Sequence, residues 1–468
     1  MQDLRSGRGG GLEALSNRVV DLADRWFPDA YVFVLAAVVL VAIAAVAHGV
    51  SPMQVGIAFG DGFWSLGPFT LQMTYVAIGG YVVATSPPAA ALLRRIAGLP
   101  ASGRSAVVWI ALVSIGLSLV NWGLSLIFSG LLVREVARRT DIALDYRAAG
   151  AAAYLGLGCG FTLGISSSAA QMQANSDSIP ASLLPITGVI DFSQTIFTWQ
   201  NGLMIAVITA VAAAVCYWTV PGPGNVRTAS DLGVDLSIAE PEAVQGRRPA
   251  DWLADSPILT ILFVALCLCW IANRFVAGSP IQHLSGLDTY NFIFLLMGIL
   301  LHWRPKNLTN AFARAVPTVS GVLLQFPFYA GIAAMLTVPR NAAGQTLSDA
   351  IATFFIGASS GPTIFSGVVG LYSAFLGLFI PSAGGKWVIE APYVMTAAKA
   401  VGAHPGWTVM VYNIAETLPN FINPFWMLPL LGILGLRAKD LVGFTAMQFI
   451  VHLPIALILG AILMSTFN

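Results

Sequence analysis

The sequence predicts an all-α polytopic membrane protein with two inverted repeats, each holding a re-entrant hairpin and a broken transmembrane helix. Three observations lead there. The chain of 468 residues is 57% hydrophobic and only 10% charged, with a mean hydropathy of +0.78, whereas soluble domains carry about 25% charged residues. Apolar runs of the ~20 residues needed to cross a bilayer fall near 30–50, 70–92, 148–180, 196–219, 257–276, 288–303, 315–338, 407–436 and 441–466. Two further stretches, 106–134 and 361–401, are apolar with a polar tip at the centre, and the runs 148–180 and 407–436 are overlong and broken in the middle. This makes about nine spans plus two hairpins.

In chain order, residues 1–29 form an N-terminal cytoplasmic or interfacial segment. Leu12, Leu15, Val19, Leu22 and Trp26 share a face at helical spacing. That suits an amphipathic helix on the membrane surface or an extension of the first span. The long charged stretch before the first apolar run is unlike a secretory leader. The first repeat covers 30–220, with its hairpin near 106–134 and its broken helix near 148–180. A polar linker, 221–256, opens on Pro221-Gly222-Pro223-Gly224, and a connecting span and loop occupy 257–287. The second repeat covers 288–468, with its hairpin near 361–401 and its broken helix near 407–436.

Basic residues flank these elements asymmetrically. Arg5, Arg8, Arg18 and Arg25 precede the first span, Arg94, Arg95 and Arg104 follow the second, and Arg134, Arg138, Arg139 and Arg147 follow the first hairpin. Positive charge favours the cytoplasmic face, so both ends of 106–134 lie on one side and the segment enters and returns. Arg304, Lys306, Arg437 and Lys439 fall inside on the same count. The N-terminus is then cytoplasmic, the second hairpin enters from outside, and the C-terminus is outside, with Arg340 and Lys399 as external exceptions.

The halves resemble each other. Leu71-Gln72 matches Leu324-Gln325, the tip Asn121-Trp122-Gly123 matches Pro381 to Gly385, and the break Gly164 to Ser168 matches Thr417 to Asn420. The offsets share one order and one spacing, and the charge count reverses the topology of the second half. That is the pattern of a secondary transporter.

Backbone that leaves the helix at membrane depth is tolerated only against protein or a water-filled cavity, and intramembrane charges are costly and usually functional. Helix N-termini at tips and breaks suit a carboxylate. Unwound carbonyls and helix C-termini suit a cation. The candidate substrate-binding residues are therefore Asn121, Trp122, Gly123, Ser125, Ser167, Ser168, Gln171, Ser382, Gly384, Gly385, Lys386 and Asn420. The candidate cation-coupling residues are Asn175, Glu390, Asn413, Glu416, Thr417 and Asn423. Lys386 and Glu390 stand four apart, so they pair with each other or Lys386 meets the substrate carboxylate. Trp122, Phe421 and Phe425 are candidates to line an apolar pocket.

Other chemistries lack support. Cys159, Cys216, Cys267 and Cys269 sit in apolar runs and read as small buried residues. The five histidines have no metal-ligand spacing. There is no P-loop, dinucleotide fingerprint or HExxH, so neither ATPase nor metalloprotease activity is expected. A net charge of +1 offers no surface for nucleic acid. No cofactor is expected, and no metal beyond a coupling Na⁺.

The motifs Asn121-Trp122-Gly123, GISSSAAQMQANSDS (164–178), PSAGGKWVIEAP (381–392) and NIAETLPNFINPFW (413–426) resemble the short-chain fatty acid transporter family, within the wider ion transporter superfamily. The resemblance runs from Trp26-Phe27-Pro28-Asp29 to the C-terminus. It implies two inverted repeats, a homodimer with elevator-like motion, and a place in the bacterial cytoplasmic membrane. It also implies uptake of monocarboxylates such as butyrate or acetoacetate. A small carboxylate needs one anion-binding spot and an apolar cavity, and a co-transported Na⁺ or H⁺ would offset its charge. The alternatives on this scaffold are a cation/proton antiporter and a dicarboxylate carrier. An integral membrane enzyme would need a nucleophile with its base, which the sequence does not offer.

Overall fold

A computed structural model describes residues 30–222, 224–237, 251–277, 283, 286–423 and 425–467. The amphipathic segment expected at 12–27 and much of the 221–256 linker lie outside the described residues. Among the described residues the fold is all helix and turn. The first series is α1 (Ala30–Ala47), α2 (Pro52–Gly62), α3 (Gly67–Ala84), α4 (Pro87–Ala97), α5 (Gly103–Ser118), α6 (Trp122–Ala137), α7 (Tyr146–Ala153), α8 (Ser168–Gln173) and α9 (Trp199–Thr219). After α10 (Ile258–Ala277) a second series follows: α11 (Leu287–His302), α12 (Pro305–Ala315), α13 (Ser320–Thr337), α14 (Leu347–Gly357), α15 (Pro362–Gly377), α16 (Ala383–Val401), α17 (Pro405–Thr417), α18 (Leu428–Leu434) and α19 (Ala438–Met464). The second to fifth helices of each series match in length, at 11, 18, 11 and 16 residues.

Some boundaries differ from the sequence reading. The run 70–92 is not one helix: α3 and α4 meet at 65°. Ser86 precedes Pro87, which disfavours helical backbone, and it takes an extended conformation that caps α4 through Ala89 N–H. Helices α12 and α14 were not anticipated as separate elements. Helix α12 is too polar to span, with Lys306 and Arg314 among its 11 residues. Cys267 is buried as expected, but Cys269 is exposed on the far side of α10.

The hairpins α5–α6 and α15–α16 dock against α3 and α13 respectively. The α3–α6 contact is backbone to backbone. A Cβ on Gly80 would stand 2.3 Å from Leu124 N, and one on Gly123 would stand 2.9 Å from Ala77 O. Only glycine permits this approach. Around the perimeter, α1, α9, α10 and α19 expose Leu40, Ile43, Leu203, Leu262, Leu266, Ile450 and Ile458. An apolar belt of this extent suits lipid, not water.

Candidate functional site

Each hairpin turns at a polar N-cap. Asn121 caps α6, its Oδ1 accepting from Leu124 N–H at 2.8 Å. Its amide donates to Val76 O at 3.1 Å and to the Tyr290 hydroxyl at 2.9 Å, and that hydroxyl donates to Val120 O at 2.7 Å. Ser382 takes the equivalent position in the second hairpin and accepts from Gly385 N–H at 3.2 Å. Three groups clamp this second tip. Trp426 Nε1 donates to Pro381 O at 2.5 Å, the Tyr412 hydroxyl donates to Ala383 O at 2.6 Å, and Asn423 Nδ2 donates to Leu378 O at 3.0 Å.

The broken helices pass beside the tips. Helix α7 relaxes into a wide π turn at Gly156–Gly160 and a tight turn at Phe161–Leu163 before α8 begins at Ser168. Close approach demands its glycines: a Cβ on Gly164 would meet Leu119 O at 2.1 Å, and one on Gly158 would enter the Phe421 ring. Helix α17 gives way at Pro419 to the turn Leu418–Phe421, and the chain bends by 71° before α18. The Trp122 N–H at the first tip donates to Ser166 Oγ in the first break at 2.8 Å. Across the halves, Asn420 Nδ2 donates to Leu157 O at 3.2 Å and Trp387 Nε1 donates to Gln173 Oε1 at 3.1 Å.

Where the tips and breaks converge there is a small cavity, about 30 Å³ of it open to water-sized spheres. Trp122, Ser168, Ser382, Gly384 and Asn420, all anticipated, are on its wall. Sequence reasoning missed Met73, Leu157, Phe161, Val322, Phe326 and Trp426. Trp426 occupies the place expected for Phe425, which packs against it and against Gly321. Phe421 is fully buried against Gly158. Trp122 and Trp426 meet edge to face at 5.4 Å between ring centres and also wall a second, smaller cavity of about 20 Å³.

The other anticipated residues stand behind this wall. Gly123 seats α6 on α3, Ser125 Oγ donates to Ser114 O at 2.7 Å, and Gly385 faces the Tyr329 ring. Ser167 caps α8. Gln171 Nε2 donates to Ile165 O at 2.7 Å, while its Oε1 has no partner. Asn175 is apart from the rest, partly exposed and accepting from Asp177 N–H at 3.1 Å. Asn423 ties the second break to the second hairpin.

Lys386 is fully buried and points away from the cavity lining. Its ammonium lies 2.9 Å from Glu390 Oε1 and 2.7 Å from Ser373 O, over the Tyr412 ring at 4.7 Å. Glu390 Oε2 accepts from Ser373 Oγ at 2.5 Å. Glu416, one turn before Asn420, is buried with neither carboxyl oxygen hydrogen-bonded. Asn413 Oδ1, Thr417 Oγ and Asn420 Oδ1 on the same helix face also lack partners.

An apolar perimeter, paired helical hairpins, interrupted helices and a cavity where they meet define an integral membrane protein of the transporter class. Similarity to known proteins agrees. The short chain fatty acid transporter family matches residues 11–464, and the chain belongs to that family. A relative from Escherichia coli (strain K12) is 30% identical over 442 residues, covering 93% of this chain and 96% of its own length. One from Haemophilus influenzae is 28% identical over 465 residues, covering 96% and 99%. Both are provisionally named short-chain fatty acid transporters. The fold is that of two solved transporters. Alcanivorax borkumensis YdaH gives a TM-score of 0.56 at 16% identity, covering 94% of this chain and 99% of its own. Neisseria gonorrhoeae MtrF, described within a class of antimetabolite efflux pumps, gives 0.57 at 14%, covering 97% and 98%.

Proposed function

We propose that the chain is a secondary transporter taking up short-chain monocarboxylates by cation symport with alternating access, in the bacterial cytoplasmic membrane. The observation that carries this is the cavity itself. Most of its wall is aromatic or aliphatic, which suits a short acyl tail. Its polar groups are the Ser382 cap and the first residues of the 19-residue helix α16, with Ser168 against Gly384, and Asn420. The first amide N–H groups of a helix have no intrahelical acceptor, and the helix end carries about half a positive charge. A carboxylate there, with its tail against Met73, Phe326 and Trp122, meets both requirements.

A dicarboxylate is disfavoured because the nearest cation, Lys386, is already neutralised by Glu390. The matched helix lengths support two repeats, and the asymmetry of basic residues supports their inversion, with the hairpins as re-entrant elements. The test is uptake of labelled butyrate into proteoliposomes under imposed Na⁺ or H⁺ gradients, with unlabelled acids of two to eight carbons as competitors. Accumulation above equilibrium, with competition fading as the tail outgrows the cavity, is the expected result. Absence of accumulation by folded protein under either gradient would refute the reading.

A further inference from the structure

We propose that Glu416 holds an exchangeable proton and that this proton travels with the carboxylate, an inference that rests on the symport reading above. The argument is a charge inventory. The charged and titratable groups around Glu416 are Lys386 and Glu390 on α16, Tyr154 at the end of α7, Tyr329 on α13 and Tyr412 on α17. Lys386 and Glu390 form an ion pair with no exposed surface, and both Glu390 oxygens have partners. That pair sums to zero. Glu416 is 1% exposed and neither of its oxygens has a partner.

An ionised Glu416 would therefore be one uncompensated charge in a region of low polarisability. Such burial costs several kcal/mol, whereas a neutral carboxylic acid costs far less. The two glutamates anticipated for coupling thus separate: Glu390 is a fixed countercharge, and Glu416 is the group free to gain or lose a proton. Its neighbours can serve the acid form, since Asn413 Oδ1 and Asn420 Oδ1 on the same face are unused acceptors.

Position supplies the coupling. Asn420 lines the cavity and Glu416 lies one turn behind it. A substrate carboxylate in the cavity and an ionised Glu416 would repel each other through a few ångströms of protein, so substrate entry favours the protonated site. By thermodynamic reciprocity, the proton equally favours substrate. One anion and one proton then cross together with no net charge, and the pH gradient, not the membrane potential, drives accumulation.

The test begins with infrared spectroscopy of the purified wild-type protein near neutral pH. A buried carboxylic-acid band that shifts in heavy water, is insensitive to Na⁺, and disappears in Glu416→Gln is the expected result. No such band, a band unchanged in the variant, or a wild-type band erased by Na⁺ would overturn the proposal; the last would make the site a Na⁺ site. The wild-type Na⁺ titration decides this even where the variant fails to fold. In proteoliposomes with the potential clamped, butyrate accumulation driven by a pH gradient should fall at least tenfold in Glu416→Gln. Wild-type liposomes that take up no butyrate would sink the substrate reading, while the infrared result still decides Glu416 by itself.

Discussion

Lys386 shows how a single side chain changes meaning between sequence and structure. A lone lysine beside a hairpin tip invites a substrate carboxylate, yet its three donors face Glu390, the Ser373 carbonyl and the Tyr412 ring. Removing one partner of such a pair strands the other charge. Lys386→Ala should therefore cost about 3–5 kcal/mol, and Lys386→Met combined with Glu390→Gln should recover most of it. Thermal unfolding in detergent reads both; a Lys386→Ala protein as stable as wild type would show that the pair is not what holds α16. The polar members of the site were legible because polar residues inside apolar sequence stand out: Ser168, Ser382 and Asn420 all reach the cavity. Its apolar wall was not. Met73 and Phe326 lie in α3 and α13, where nearly every residue is apolar, and nothing in such a run distinguishes a cavity-facing side chain from a packed one.

At the level of elements, the breaks and tips were visible because glycine, proline and hydroxyl residues punctuate otherwise uniform runs. Helices α12 and α14 were hidden because both are shorter than a span, so a reading tuned to membrane-length runs passes over them. Helix α17, which carries Glu416, depends on an unusual cap. His404 accepts from Trp407 N–H through Nδ1 at 3.1 Å and stacks on Phe467 at 4.1 Å. Partial burial holds its imidazole below the ordinary histidine value, near 6.5, and the cap, accepting through Nδ1, uses the neutral ring. The unfolded chain thus binds a proton more readily, and stability rises with pH. The cap's contribution is complete above the ordinary value and is lost as pH falls through the depressed one. Unfolding at pH 8 and pH 5 should show a loss below the roughly 1 kcal/mol usual worth of an N-cap, because the ring is only partly buried and solvent screens it. His404→Asn should flatten that dependence; an unchanged slope would assign it to other groups.

Across the whole molecule, the all-helical class was legible because period and length are local properties that hydropathy records directly, and two series of helices match in length. Which groups meet between the halves, such as Asn420 with Leu157 or Trp387 with Gln173, is set by packing over more than 200 residues of chain and leaves no local trace. The proposed inversion makes a topological prediction. In a chain whose four cysteines are replaced by serine, Ala143→Cys beyond the first hairpin should react with an impermeant maleimide only from the cytoplasmic side. Ala342→Cys, before α14, should react only from outside. Both are exposed positions. Labelling of both from one side would contradict an inverted relation.

The perimeter helices differ greatly in reach. Helix α1 has 18 residues and α19 has 27, which at 1.5 Å per residue is about 27 Å and about 40 Å. A hydrocarbon layer of about 30 Å is too thick for the first and too thin for an upright second. The surrounding lipid must therefore thin beside α1, and α19 must lean, each at a fraction of a kcal/mol per ångström. Acyl-chain length in the host membrane thereby becomes a thermodynamic variable of the protein, favouring whichever arrangement of the two halves best fits the local thickness.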